Sequence, residues 1–133
     1  MNELEQLTVM VHNKPGALAD ICEVMGKNGI NIKAISAEGL GEAGIIGIIT
    51  EEQESAKKAL EKAWYKYTVS KVIPIKLVDR PGELAKVSRK LADAKINIES
   101  IYILGKEKGM TEIALKVDKF DNAGKILKKW LIR

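Results

Sequence analysis

The chain has 133 residues, 46% hydrophobic and 30% charged, with a formal net charge of +4. This composition is that of a globular protein, long enough for one ordinary domain or two small ones. Cys22 is the only cysteine, which excludes an internal disulfide and a cysteine-rich metal site.

The first element predicted is a half-buried strand, because Leu7, Val9 and Val11 alternate with Thr8, Met10 and His12. The loop Asn13-Lys14-Pro15-Gly16 follows. Then Leu18, Ile21, Cys22 and Met25 recur at the spacing of one helix face, with Gly29 placed to end the helix in a left-handed conformation. A second strand is expected from about Ile30, and its apolar phase slips between Ile32 and Ile35, the mark of a β-bulge or bend. Glycines at 39, 41 and 44 turn the chain into a third strand over 45–50. Ala56, Ala59, Leu60 and Ala63 line a second helix, and residues 67–72 supply a closing strand.

The pattern then begins again. Asp79-Arg80-Pro81-Gly82-Glu83-Leu84-Ala85 repeats Asn13 to Ala19, and Ile96-Asn97-Ile98 repeats Ile30-Asn31-Ile32, both at an offset of 66 residues. Ile73, Ile75 and Leu77 give the strand, Leu84, Val87 and Leu91 the helix, and Ile96 to Ile103 a strand with the same slip. Residues 110–117 and the face Ala123, Ile126, Leu127 and Trp130 complete the copy, and only six residues, Lys128 to Arg133, follow Leu127. The expected fold is therefore α+β: two ferredoxin-like β-α-β-β-α-β units in tandem, over 1–72 and 73–133. Each has an antiparallel sheet with helices on one face, and the second lacks or shortens its last strand. The open strand edge invites pairing, and strand 45–49, apolar on both faces, calls for cover by a second unit or a second chain. A homodimer or higher homo-oligomer is the expectation.

An extended strand, Asn/Asp-x-Pro-Gly-x-Leu, an amphipathic helix and an Ile-Asn-Ile strand start together resemble the ACT domain, twice over nearly the whole chain. The layout is similar to that of small free-standing proteins with two such domains. The resemblance implies a regulatory, allosteric protein that binds an amino acid at domain–domain interfaces and acts on a separate enzyme of amino-acid metabolism.

The residues support such a site on their own chemistry. Pro15 suits the first helical position, and Gly16 lets a ligand approach the backbone. The N–H groups of Gly16, Ala17 and Leu18 would then face a carboxylate at the positive end of the helix. Asn13 offers a donor and an acceptor to a carboxylate or an ammonium. Asn31 is similar to the asparagine that meets the ligand from a neighbouring ACT domain. The second copy offers Asp79, Gly82, Glu83, Leu84 and Asn97. Helix capping explains Asn13 and Asp79 equally well, and backbone bonding at a bend explains Asn31 and Asn97, so both roles stay open. Asp79 would repel a ligand carboxylate, which favours the first loop.

Other residues form no constellation. His12 lacks a metal-ligand or nucleophile partner in sequence, Cys22 sits on an apolar helix face, and Trp64 and Trp130 extend helix patterns as packing or subunit-contact residues. No catalytic motif, metal cluster or cofactor loop is present, so neither an enzyme nor a cofactor is expected. RNA binding is the alternative, because RRM domains share this order of elements. The counterpart of their aromatic strand, Lys108-Gly109-Met110-Thr111-Glu112-Ile113-Ala114-Leu115, has no aromatic, and the basic residues are interleaved with acids. No apolar run approaches the roughly 20 residues of a membrane span. The start Met1-Asn2-Glu3-Leu4-Glu5 has no signal-peptide character, so a cytoplasmic protein is expected.

Overall fold

The structure, a computed structural model, describes residues 3–132. Met1 and Asn2, and Arg133 at the end of the chain, lie outside the described residues. The chain divides into two compact units, Met1–Ser70 and Lys71–Arg133.

In the first unit the elements are β1 (Glu5–His12), α1 (Ala17–Lys27), β2 (Ala34–Leu40), β3 (Ala43–Ile49), α2 (Gln53–Lys62) and β4 (Tyr67–Lys71). They form a four-stranded sheet in the order β2-β3-β1-β4, with β3 antiparallel to both β1 and β2. The alternation of β1 sends Leu7 and Val9 to the same face as their ladder partners Ile48 and Ile46. These four share one core with Ile21 and Met25 of α1 and with Ala56, Ala59 and Leu60 of α2. Both helices therefore cover one face of the sheet, as the period of each element requires. Full burial of each Leu or Ile contributes about 1.5–3 kcal/mol, so this cluster dominates the unit's stability.

The second unit contains β5 (Ile73–Val78), α3 (Glu83–Asp93), β6 (Ile98–Glu107), β7 (Met110–Val117) and α4 (Phe120–Ile126), then a 3-10 turn over Lys128–Trp130. Its sheet has three strands in the order β5-β7-β6. Ile73, Ile75, Leu77, Ile113 and Leu115 pack on Val87 and Leu91 of α3 and on Ala123 and Leu127 of α4. The last strand is curtailed as expected. A single bridge from Leu131 to Ile75, with the N–H of Ile132 donating to the carbonyl of Pro74 at 3.3 Å, stands where the first unit has β4.

Several local expectations are corrected. Ile30 to Lys33 lie outside the second strand, which starts at Ala34, and β2 pairs with β3 in unbroken register. Of the two alternatives, bulge or bend, the first copy has the bend, at Lys33 in the loop ahead of β2. In the second copy β6 does break register against β7, between Ile98 and Ser100 and between Ile103 and Gly105. The added residue shifts the later correspondence from 66 to 67, so that Ala56 and Leu60 answer to Ala123 and Leu127.

The ends of α1, α2 and α3 follow one rule. Gly29 has φ 67° and is followed by an N–H of Ile30 that donates to the carbonyl of Met25, a Schellman turn. Lys95 and Trp64 take the same left-handed position with φ 60° and 67°, with Ile96 bonded to Leu91 and Tyr65 to Leu60. Trp64 is 92% exposed and does not fill the packing role, one of the two roles, packing or subunit contact, read from its spacing. Trp130 does pack against the second core, under the ammonium groups of Lys129 and Lys90.

Candidate functional site

The Pro-Gly loops are turns, not first helical residues. The N–H of Ala17 donates to the carbonyl of Lys14 at 3.3 Å, and Gly16 has φ 90° and ψ −13°. Those angles are the third-residue geometry of a type II β-turn, with Pro15 at its favoured second position. The second loop repeats it: Glu83 donates to Arg80 at 3.4 Å, and Gly82 has φ 88° and ψ −13°. Proline sets one torsion and glycine supplies the left-handed one, so the motif serves to launch each helix at a fixed angle. The expectation that Pro15 opens the helix and that Ala17 offers a free N–H is overturned, because the turn consumes that N–H. The next two N–H groups, Leu18 and Ala19 in one unit and Leu84 and Ala85 in the other, have no backbone acceptor among the described residues. Each helix start therefore keeps two unpaired donors at the positive end of its dipole.

Asn13 caps no helix. Its Nδ2 donates to the carbonyl of Gly41 at 2.9 Å, and its backbone N–H donates to Glu42 at 2.8 Å. The amide lies so close to Gly39 that a Cβ there would stand 2.5 Å from Nδ2. Asn13 thus clasps the β2–β3 turn. Asp79 caps no helix either; its carboxylate lies 3.5 Å from the ammonium of Lys106, which occupies the ladder position of Gly39.

Asn31 and Asn97 sit at the far end of each sheet. The N–H of Asn31 donates to the Glu52 carboxylate at 3.2 Å, and its carbonyl accepts from the Thr50 hydroxyl at 2.8 Å. Asn97 exchanges the matching pair with Asp118, at 3.0 and 3.2 Å. Asn13 adjoins the start of β3 and Asn31 its end, and seven strand residues span roughly 20 Å. No single unit brings Asn13 and Asn31, or Asp79 and Asn97, onto one small ligand.

Cavities adjoin both Pro-Gly turns. In the first unit about 150 Å³ lies between Ala17, Leu18, Asn13, Ala37 and Gly44. In the second, about 390 Å³ opens between Leu77, Leu84, Ile101, Ile103, Thr111 and Ile113, rimmed by Asp79, Arg80, Glu83 and Lys106. Leu18 and Leu84, read from sequence as core-facing, are 42% and 44% exposed at these cavities. Strands β2 and β6, which line these cavities, are edge strands of their sheets. At the rim of the larger cavity the hydrogen-bonded guanidinium of Arg80, at 2.8 Å, and then Lys86, at 3.0 Å, hold the Glu83 carboxyl below its ordinary pKa of 4.5. Glu83 is therefore negative at neutral pH.

Thr111, Ile101, Ile103 and Lys106 were not singled out in the sequence. A signal existed for one of them: Thr111 falls in the inward phase of β7 with Ile113 and Leu115, where a hydroxyl is out of place. His12 is exposed at the end of β1, and Cys22 is half-buried instead of inside the core. Among the described residues, no three His, Cys, Asp or Glu side chains are placed to hold a metal ion, and no helix is long and apolar enough to cross a membrane.

The family profile of the ACT domain pair matches residues 2–131. A solved protein of Bacteroides thetaiotaomicron is similar, with a TM-score of 0.86 and 26% identity over 96% of this chain and 88% of that one. The ligand-free regulatory subunit of aspartate kinase from Thermus thermophilus shares the fold, with a TM-score of 0.66 at 17% identity, over 96% of this chain and 92% of that one. The corresponding Thermus flavus subunit superposes with a TM-score of 0.65 at 16% identity, over 95% and 89% of the two chains. No curated protein matches the sequence.

Proposed function

The chain belongs to the ACT domain pair family, and on that footing we propose that it is a non-catalytic regulatory protein that senses a free amino acid. The duplicated Pro-Gly turn carries this reading. In both units it leads into a helix start with two N–H groups that have no backbone acceptor among the described residues. Those of Leu18 and Leu84 are at cavity-lining positions, an arrangement suited to a carboxylate. Asn31 or Asn97 contributes to such a site only from a different unit, so binding is proposed where ACT units meet and the protein is proposed to work as a homo-oligomer. Ligand would then favour one packing of units over another through its differential affinity, with the output passed to a separate enzyme or to the assembly itself. The regulatory subunits of two aspartate kinases share this fold, in keeping with a regulatory role.

Calorimetric titration with each of the twenty amino acids tests the proposal. At least one is expected to bind with Kd below about 1 mM, equivalent to about 4 kcal/mol or more. Binding of none in that range overturns the sensor reading.

A further inference from the structure

Resting on that reading, we infer that the cleft of the second unit is the side-chain pocket of the sensor, and that it takes a free α-amino acid with an aliphatic side chain, the class of leucine, isoleucine, valine and methionine. Three observations converge on the one cleft.

The first is an apolar lining left open. Ile101, Ile103 and Leu84 are 44%, 61% and 44% exposed around a floor of buried Leu77 and Ile113. A cavity of about 390 Å³ lies within the usual range of small-molecule sites, roughly 300–1,000 Å³. Aliphatic atoms placed there cover surface that the fold itself leaves in water.

The second is a buried hydroxyl without a partner. Thr111 is 8% exposed, its Oγ1 has no hydrogen-bond partner among the described residues, and it lines this cavity. A buried polar atom left unpaired is costly, and a hydroxyl can both donate and accept. A ligand ammonium or carboxylate entering the cleft supplies what the fold does not.

The third is a rim that carries both signs. Asp79 and Lys106 face each other at 3.5 Å, each about half exposed, and Glu83 stands beside Arg80. Leu84, whose N–H has no backbone acceptor among the described residues, lines the same cavity. A zwitterion matches this rim with its carboxylate toward Lys106 and the helix start, and its ammonium toward Asp79 or Glu83. The first unit shares the helix start but lacks the hydroxyl and the isoleucine lining. Gly44 stands at the ladder position of Thr111, Ala37 at that of Ile103, and the Asn13 amide closes over Gly39 beside a cavity of only about 150 Å³.

The test is calorimetry of the full chain with leucine, isoleucine, valine and methionine against aspartate, lysine and serine. The aliphatic set is expected to bind at least tenfold tighter. Ile103→Asp, at an exposed position, should abolish that binding, and Thr111→Val, close in shape, should weaken it at least fivefold without lowering the unfolding midpoint. Asn13→Ala should leave affinity within twofold. Equal affinity for polar and aliphatic ligands, or loss on Asn13→Ala while Ile103→Asp binds normally, overturns the cleft assignment and leaves amino-acid sensing standing. So does dissociation of an assembly by Ile103→Asp with affinity unchanged, since a second copy would then cover the cleft. Binding of no amino acid at all overturns the functional proposal itself.

Discussion

Asn13 illustrates how one residue type serves two chemistries. Its position before a helix is compatible with capping and with ligand contact, and the structure gives it a third task, clasping the β2–β3 turn through Gly41. That clasp needs Gly39, since a Cβ there would meet the amide at 2.5 Å. Gly39→Ala is therefore expected to displace the side chain and cost about 1 kcal/mol, the worth of the lost hydrogen bond. In an Asn13→Ala background the same substitution should cost almost nothing, because the obstructing amide is gone. A double-mutant cycle by urea unfolding measures this coupling, and additive costs would contradict it. The contact joins residues 26 apart in sequence, so no local pattern announces it. Thr111 is the contrasting case: its inward phase is legible in β7, while the lack of a partner for its hydroxyl is visible only with the neighbours in place.

Among the elements, helix termini are where sequence and structure differ most instructively. Gly29 is readable as a left-handed helix end, and its counterpart Lys95 adopts the same conformation without glycine's freedom. Trp64 does so as well, at 92% exposure. The Schellman bonds to Leu60 and Leu91 over-determine both positions and hold the strain in place. A non-glycine residue in that region costs about 1–2 kcal/mol, partly offset on replacement by the greater chain entropy of unfolded glycine. Trp64→Gly and Lys95→Gly are thus expected to stabilise the protein by up to about 1 kcal/mol each, since Trp64 surrenders almost no buried surface. Thermal unfolding checks it; a lowered midpoint for Trp64→Gly would reveal packing by Trp64 that the chain alone does not supply. The β6 bulges show the converse limit. Both copies share the apolar slip, yet only the second resolves it within the ladder, because the first places its Ile-Asn-Ile segment ahead of the strand.

For the whole molecule, the open question of cover belongs to the sheet faces. Met10 and Ile45 are ladder partners on the helix-free face of the first sheet and stay 59% and 39% exposed. Adjacent apolar side chains left in water favour association. Multi-angle light scattering is expected to give at least twice the 14.6 kDa chain mass, and Ile45→Lys should reduce it. A wild-type monomer at tens of micromolar would count against the proposed homo-oligomer.

The tandem order of elements, the two cores and the curtailed final strand were all present in the sequence. They rest on periodicity and turn chemistry, which act between residues a few positions apart and repeat when the sequence repeats. The Pro-Gly motif was legible as a launch point for each helix, but its type II geometry, and the N–H that it consumes, depend on backbone torsions that the motif alone leaves open. Tertiary structure alone decided how the two corners differ. Asn13 closing on Gly39, Asp79 meeting Lys106, and the uncovered cleft around Thr111 each join segments distant along the chain, and their geometry exists only once the sheet has aligned them.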